Sequence, residues 1–148
     1  MIGRGVAIAM FLALAGCATT TASSPGATPT AFDLDGEWQI VSLDARPLIG
    51  TMRLDRGQYG VSFGCNRLAG SASVVGARLV PSGPLAQTEM ACTNALDRGP
   101  DPMAVEDKGF QIATQPMWIA STRTPRRLRF WNEAGSFEAD WIGPIPQR

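Results

Sequence analysis

From Phe32 onwards the chain falls into short runs in which apolar and polar positions alternate, broken by Gly, Pro, Asp and Asn. Alternation with a period of two puts the apolar side chains on one face of an extended strand, so the pattern predicts an antiparallel β-rich domain. Trp38 and Ile40 share one face while Val41 and Leu43 share the other, which requires either a bulge that shifts the register or a strand covered on both sides. Met52 and Leu54 alternate with Arg53 and Asp55. Asp55-Arg56-Gly57 then reads as a turn into Tyr59, Val61 and Phe63, and the two runs predict a hairpin. Gly70 to Val75 and Ala77 to Val80 are two further short strands, the second ended by Pro81 and Pro84. Leu128 and Phe130, a turn at Asn132-Glu133-Ala134-Gly135, and then Phe137, Ala139 and Trp141 make the clearest hairpin. Arg127 and Arg129 fall on its outer face beside Glu138 and Asp140, as cross-strand charge pairs.

One segment changes period. Asp101 can cap a helix whose first position is Pro102, where the missing N–H is not needed. Met103, Phe110, Ala113 and Met117 recur near helical spacing, Pro116 limits the helix, and Gly109 weakens it by about 1 kcal/mol relative to alanine. The expectation is a single helix laid across a sheet, with its Met and Phe stripe facing the core.

Upstream, Arg4 is followed by an apolar stretch from Val6 to Ala15, the length of a secretory h-region and too short to span about 30 Å of hydrocarbon. The stretch ends in Leu14-Ala15-Gly16-Cys17, which resembles the lipobox of bacterial lipoproteins. The resemblance implies a signal peptide over residues 1–16 and acylation of Cys17, with two or three chains anchoring the protein stably in a bilayer. An ordinary signal peptide or an uncleaved anchor is the alternative. Ala18 after the cysteine favours the outer membrane facing the periplasm by the enterobacterial sorting rule, with the inner membrane left open. Residues 17–32 contain no charged side chain and are rich in Thr, Ser, Ala and Pro, so they are expected to form a lipidated, flexible tether. The folded domain is expected over 33–144.

Composition narrows the chemistry. A chain of 148 residues that is 45% hydrophobic suits one ordinary domain. Thirteen basic and thirteen acidic residues give zero formal charge, which excludes bulk electrostatic attraction to nucleic acid. The absence of histidine removes imidazole as general base and as metal ligand. No calcium-loop spacing and no glycine-rich phosphate loop occur, so neither a metal nor a cofactor is expected. Carboxylates such as Glu89, Glu106 and Asp107 are the remaining candidates for hydrolytic chemistry, and scattered acids yield such pairs by chance. With Cys17 committed to lipid, Cys65 and Cys92 read as one structural disulfide in an exported domain. Closing a loop of about 28 residues would stabilise it by roughly 3 to 4 kcal/mol. A redox pair is the alternative, although neither cysteine lies in a Cys-x-x-Cys element.

Gly36-Glu37-Trp38, Gly64-Cys65-Asn66-Arg67 with Gly70 after it, Thr88-Glu89-Met90-Ala91-Cys92, and Glu106 on the following helix together resemble the META domain of HslJ-like, heat-shock-inducible envelope lipoproteins. The resemblance covers roughly residues 33 to 142 and departs from the common pattern at Asp97-Arg98-Gly99-Pro100 and at Gly109. It implies a mainly β (α+β) fold, a small curved antiparallel sheet or incomplete barrel with one packed α-helix. It does not imply an enzyme, and HslJ-like proteins are associated with heat and drug stress; the lipobox, tether and small β-domain in series, without histidine, give as the first reading a noncatalytic envelope lipoprotein that binds an envelope protein, a lipid or a small apolar ligand. A small interaction or protease-inhibitor module is the second reading and a carboxylate-based hydrolase the third. Asn66, Arg67, Thr88 and Glu89 are the candidate ligand or structural-motif residues, with Gly64 and Asn66 read first as turn residues.

Overall fold

The computed structural model describes residues 34–90 and 101–146. Its elements, in order, are β1 (Gly36–Leu43), β2 (Arg46–Asp55), β3 (Gln58–Ser62), β4 (Leu68–Val75), β5 (Arg78–Gln87), α1 (Pro102–Ala113), β6 (Met117–Ser121), β7 (Arg127–Asn132) and β8 (Gly135–Gly143). Every pairing is antiparallel and joins sequence neighbours, and β8 returns to pair with β1, so the strands close into an eight-stranded up-and-down barrel. The expected incomplete barrel or open curved sheet is corrected here. Closure is made by the β1–β8 ladder, from Trp38↔Trp141 to Leu43↔Phe137, and by a short β5–β6 seam of two pairs, Arg78↔Trp118 and Leu79↔Met117.

Of the two readings left open at Val41, the register shift is the one present. It lies between Ile40 and Ser42 against both β2 and β8, and it keeps Ile40 and Leu43 buried on the same side of the sheet. Two tight turns have left-handed backbone at both central residues: Arg56 (φ 47°) with Gly57 (φ 82°), and Asp44 (φ 46°) with Ala45 (φ 62°). This geometry matches the right-handed twist of the strands it joins. The first turn carries the glycine that makes it readable; the second has none, and the sequence pattern passes over it.

Two further boundaries differ from expectation. The helix ends at Ala113, short of the limit expected at Pro116, because Thr114 turns back and bonds the Phe110 carbonyl through both its amide (3.0 Å) and its hydroxyl (2.8 Å). Met117 then opens β6 and packs in the barrel core with Leu79. Likewise β5 does not stop at Pro81 and Pro84 but reaches Gln87. Pro81 pairs with Ala72 of β4, while beyond Leu79 no described strand pairs with the other edge of β5, where the missing proline N–H is not needed.

The barrel lumen is filled by its own side chains. Trp38, Ile40, Met52, Leu54, Tyr59, Val61, Leu79, Met117, Phe130 and Phe137 belong to one buried cluster. Phe137 stacks on Phe130 at 4.9 Å and meets Phe63 edge to face at 5.3 Å, and Phe63 in turn meets Phe110 of the helix at 6.0 Å. Each such side chain contributes about 1.5–3 kcal/mol by leaving water. In an up-and-down barrel the odd strands end, and the even strands begin, at one mouth. The β5–β6 connection therefore crosses that mouth, and α1 closes it with a buried stripe of Glu106, Gly109, Phe110, Ile112 and Ala113. The expected N-cap holds: the Asp101 carboxylate accepts from the Met103 amide at 3.0 Å, with Pro102 in the first turn.

Candidate functional site

Asn66 draws the separated motifs into one cluster. Its backbone N–H donates to Glu106 Oε1 at 2.6 Å and its side-chain amide to Glu106 Oε2 at 2.6 Å. The same amide reaches the Met90 carbonyl (2.9 Å), and Asn66 Oδ1 accepts from the Met90 amide (2.6 Å) and the Thr88 hydroxyl (3.2 Å). Ser62 Oγ donates to the Asn66 carbonyl at 2.6 Å. Thr88 and Arg67 add a second tie, since the Arg67 amide donates to Thr88 Oγ1 (2.9 Å) and the Thr88 amide to the Arg67 carbonyl (3.0 Å). Asn66 and Glu106 are the two buried polar residues of the described core, each 1% exposed. Full hydrogen bonding is the condition on which such groups can be buried.

The cluster is a joint between the β3–β4 loop, the end of β5 and the helix. Asn66 has ordinary backbone rather than a left-handed turn conformation, so its amide chemistry is what the site uses. Gly64 gives room rather than conformational freedom: a Cβ there would lie 3.2 Å from Glu106 Oε1. Glu89 is exposed and Cys65 lies in the exposed loop, its Sγ 3.8 Å from the Met90 carbonyl. Cys17, Cys92, the signal and tether segments and the Asp97–Pro100 loop lie outside the described residues. Asp107 is exposed and Glu106 buried, so these neighbouring carboxylates do not share a face of the helix. No group of three or more acidic, cysteine or histidine residues among the described residues could hold a metal ion.

A second feature was not legible in the sequence. Between the β1–β2 hairpin and the first turns of α1 lies a groove of about 420 Å³, lined by Leu43, Pro47, Leu48, Ala104 and Val105, with Asp44, Arg46 and Lys108 at its rim. Its volume falls in the range of small-molecule sites. Its walls are pinned. Asp44 exchanges bonds with Ser136, donating its amide to the Ser136 carbonyl (2.8 Å) and accepting the Ser136 amide on its carboxylate (2.9 Å). Lys108 donates to the Ala134 carbonyl and lies 3.7 Å from Asp44, and Asn132 Nδ2 donates to the Ile112 carbonyl at 2.9 Å. The one signal in the sequence was Pro47-Leu48-Ile49, an apolar triplet in a strand that otherwise alternates; Ile49 is 85% exposed.

The outer charge pairs hold in part. Arg127 grips Asp140 with two bonds, at 2.6 and 2.9 Å, and lies 3.7 Å from Glu138. This grip holds the Asp140 carboxyl below the usual carboxylate range, the hydrogen bond from Arg127 being the largest cause. Arg129 stands opposite Glu138 but lies over the Trp131 ring and donates to Ser136 Oγ.

These features define a small up-and-down β-barrel whose one mouth is closed by a helix anchored on an Asn–Glu joint. The META domain profile matches residues 31–132, and the chain belongs to the META domain family. Among solved structures, one determined by NMR superposes with a TM-score of 0.63 at 16% identity, covering 78% of this chain and 97% of that one. A second NMR structure, of a protein from Burkholderia xenovorans, superposes with a TM-score of 0.50 at 21% identity, covering 85% and 96%. Both likenesses are of fold. No curated protein matches the chain.

Proposed function

We propose that this META domain protein is a noncatalytic, HslJ-like lipoprotein of the bacterial cell envelope, which binds a small apolar ligand in the groove between the β1–β2 hairpin and α1. The observation that carries the reading is the pairing of a side-chain-filled lumen with a 420 Å³ apolar groove outside it. In many barrels a ligand would enter the lumen; here the free apolar volume lies against the helix that closes the mouth. Anchorage rests on the Leu14-Ala15-Gly16-Cys17 segment, with acylated Cys17 holding the domain through the tether over residues 17–32 at the outer membrane, facing the periplasm. No helix among the described residues is long and apolar enough to cross a membrane. A Cys65–Cys92 bridge completes the reading; its support is that the chain at Met90, two residues before Cys92 in sequence, bonds to Asn66, the neighbour of Cys65. Tolerance of heat and of apolar drugs is the role that fits an anchored binder of apolar molecules.

Two measurements test this. Mass spectrometry of membrane-extracted protein is expected to find Cys17 acylated and Cys65 joined to Cys92; free thiols at both, or an unmodified amino terminus, would overturn the anchorage or the bridge. Titration with N-phenyl-1-naphthylamine is expected to show saturable fluorescence enhancement that Val105→Trp, which fills the groove, abolishes. Unchanged binding by that variant would remove the groove from the reading.

A further inference from the structure

On the outer wall of the barrel, away from the apolar groove, Glu37, Arg53, Gly60 and Ala69 stand side by side in register across β1 to β4. Their neighbours Trp38, Met52, Tyr59, Val61 and Leu68 face the core, so this row faces solvent. The row has no side chain at Gly60, and the Arg67 guanidinium fills that gap. A Cβ built on Gly60 would lie 2.9 Å from Arg67 Nη2, 3.3 Å from Nε and 3.5 Å from Cζ, which places the guanidinium over the bare backbone. Gly60 is buried beneath it, although the residue lies on the outer face. At its other end Arg67 is held by the two bonds between its backbone and Thr88. Arg67 is thus tied at its backbone, while its exposed guanidinium rests on the Gly60 backbone with its donors open to solvent.

Two clefts, of about 210 and 310 Å³, open beside this guanidinium, and both are lined by Arg53, Gly60 and Arg67. Glu37, Thr51 and Ile142 border the smaller cleft; Asp55, Gln58 and Gly70 border the larger. The local charge is only partly matched. Asp55 is shared between Arg53 (3.5 Å) and Arg56 (3.2 Å), and among the described residues no carboxylate, Glu37 included, comes within ion-pair distance of Arg67. Arg53, whose acid Asp55 is shared with Arg56, and Arg67, whose guanidinium rests on the glycine floor, line the same clefts, and with Glu37 bordering only the smaller one they offer two forks for the paired oxygens of a planar or tetrahedral oxyanion.

We propose that Arg67 and Arg53, over Gly60, bind a small organic oxyanion, a phosphate ester or a carboxylate, at a site separate from the apolar groove. In this site Gly60 acts as the floor that lets Arg67 lie flat, Thr88 positions the Arg67 backbone, and Arg53 supplies the second cation.

The test uses the full chain carrying Cys17→Ser, so that it is not acylated, and titrates inorganic phosphate and acetate while following the Arg67 Nε–H and Gly60 amide resonances. The expected result is a saturable shift of both signals, weakened about tenfold or more in Arg67→Ala, as for loss of a charge-assisted bond. Gly60→Ala is the sharper variant. Gly60 has no left-handed backbone to lose, and the new methyl meets only the flexible tip of Arg67, so the barrel should keep its thermal transition while the binding falls. Saturation by phosphate alone assigns a phosphate ester, and saturation by acetate as well assigns a carboxylate. No saturable shift with either anion, or binding that survives Arg67→Ala, overturns the proposal.

Discussion

Asn66 and Glu106, forty residues apart in sequence, meet through two parallel bonds: the backbone amide and the side-chain amide of Asn66 each donate at 2.6 Å to a different oxygen of the Glu106 carboxylate. Both residues are buried, so the pair is the polar bolt that fastens the helix across the barrel mouth. Removing one partner leaves the other desolvated and short of bonds. Asn66→Ala and Glu106→Gln are each expected to destabilise the domain by about 2–3 kcal/mol. Urea unfolding measures this, and an unchanged midpoint would mean that apolar contacts alone hold α1.

Gly109 presses the helix against the core. A methyl there would lie 2.2 Å from the Phe63 ring, which is itself locked against Phe110 and Phe137. Alanine improves helix propensity by about 1 kcal/mol, but overpacking costs about 1–3 kcal/mol. Gly109→Ala should therefore lower the melting temperature, whereas Gly143→Ala, which meets nothing within 4 Å, should leave it unchanged.

The β1–β2 turn contains a removable strain. Ala45 has φ of 62° and is exposed, a conformation that costs an L-residue about 1–2 kcal/mol. Ala45→Gly relieves it at some cost in unfolded-chain entropy. A net gain of several tenths of a kcal/mol up to about 1 is expected, read as a raised melting temperature.

Tyr59, the sole tyrosine, reports the state of the barrel. Burial pushes its hydroxyl well above the ordinary value of about 10, and the hydroxyl faces the Ala113 carbonyl at 3.5 Å. The folded pKa exceeds the unfolded one, so the contribution is complete below about pH 10 and is lost as the pH rises above it, when only the unfolded chain ionises. Phenolate absorbance should therefore rise together with loss of the near-ultraviolet dichroism. A phenolate that formed in the folded barrel near pH 10 would contradict the burial.

Asp140 works in the opposite direction. Its folded pKa is depressed, first by the hydrogen bond from Arg127, so its contribution is complete above the unfolded carboxylate range near about 4 and is lost as the pH falls through the lower folded value. Both side chains are partly exposed, and the effect on stability is correspondingly small. Arg127→Gln should raise the Asp140 titration midpoint, followed by carboxyl-carbon NMR, into the ordinary range.

Local pattern carried much of this protein. Period-two alternation marked the β2–β3 and β7–β8 hairpins, the break at Val41 marked the bulge, and Asp101-Pro102 marked where the helix begins, because each depends on residues near one another in the chain. Asn66, Arg67, Thr88 and Glu106 were also visible as motif residues, and with them the META family. Their roles were not, since a hydrogen bond between Asn66 and Glu106 has no local signature. Barrel closure, the start of β6 at Met117, the passage of β5 through two prolines, the apolar groove and the seat of Arg67 over Gly60 were decided only by tertiary structure. Each rests on which strand edge or side chain arrives opposite from a distant part of the chain, and local periodicity records a residue's face but not its neighbour.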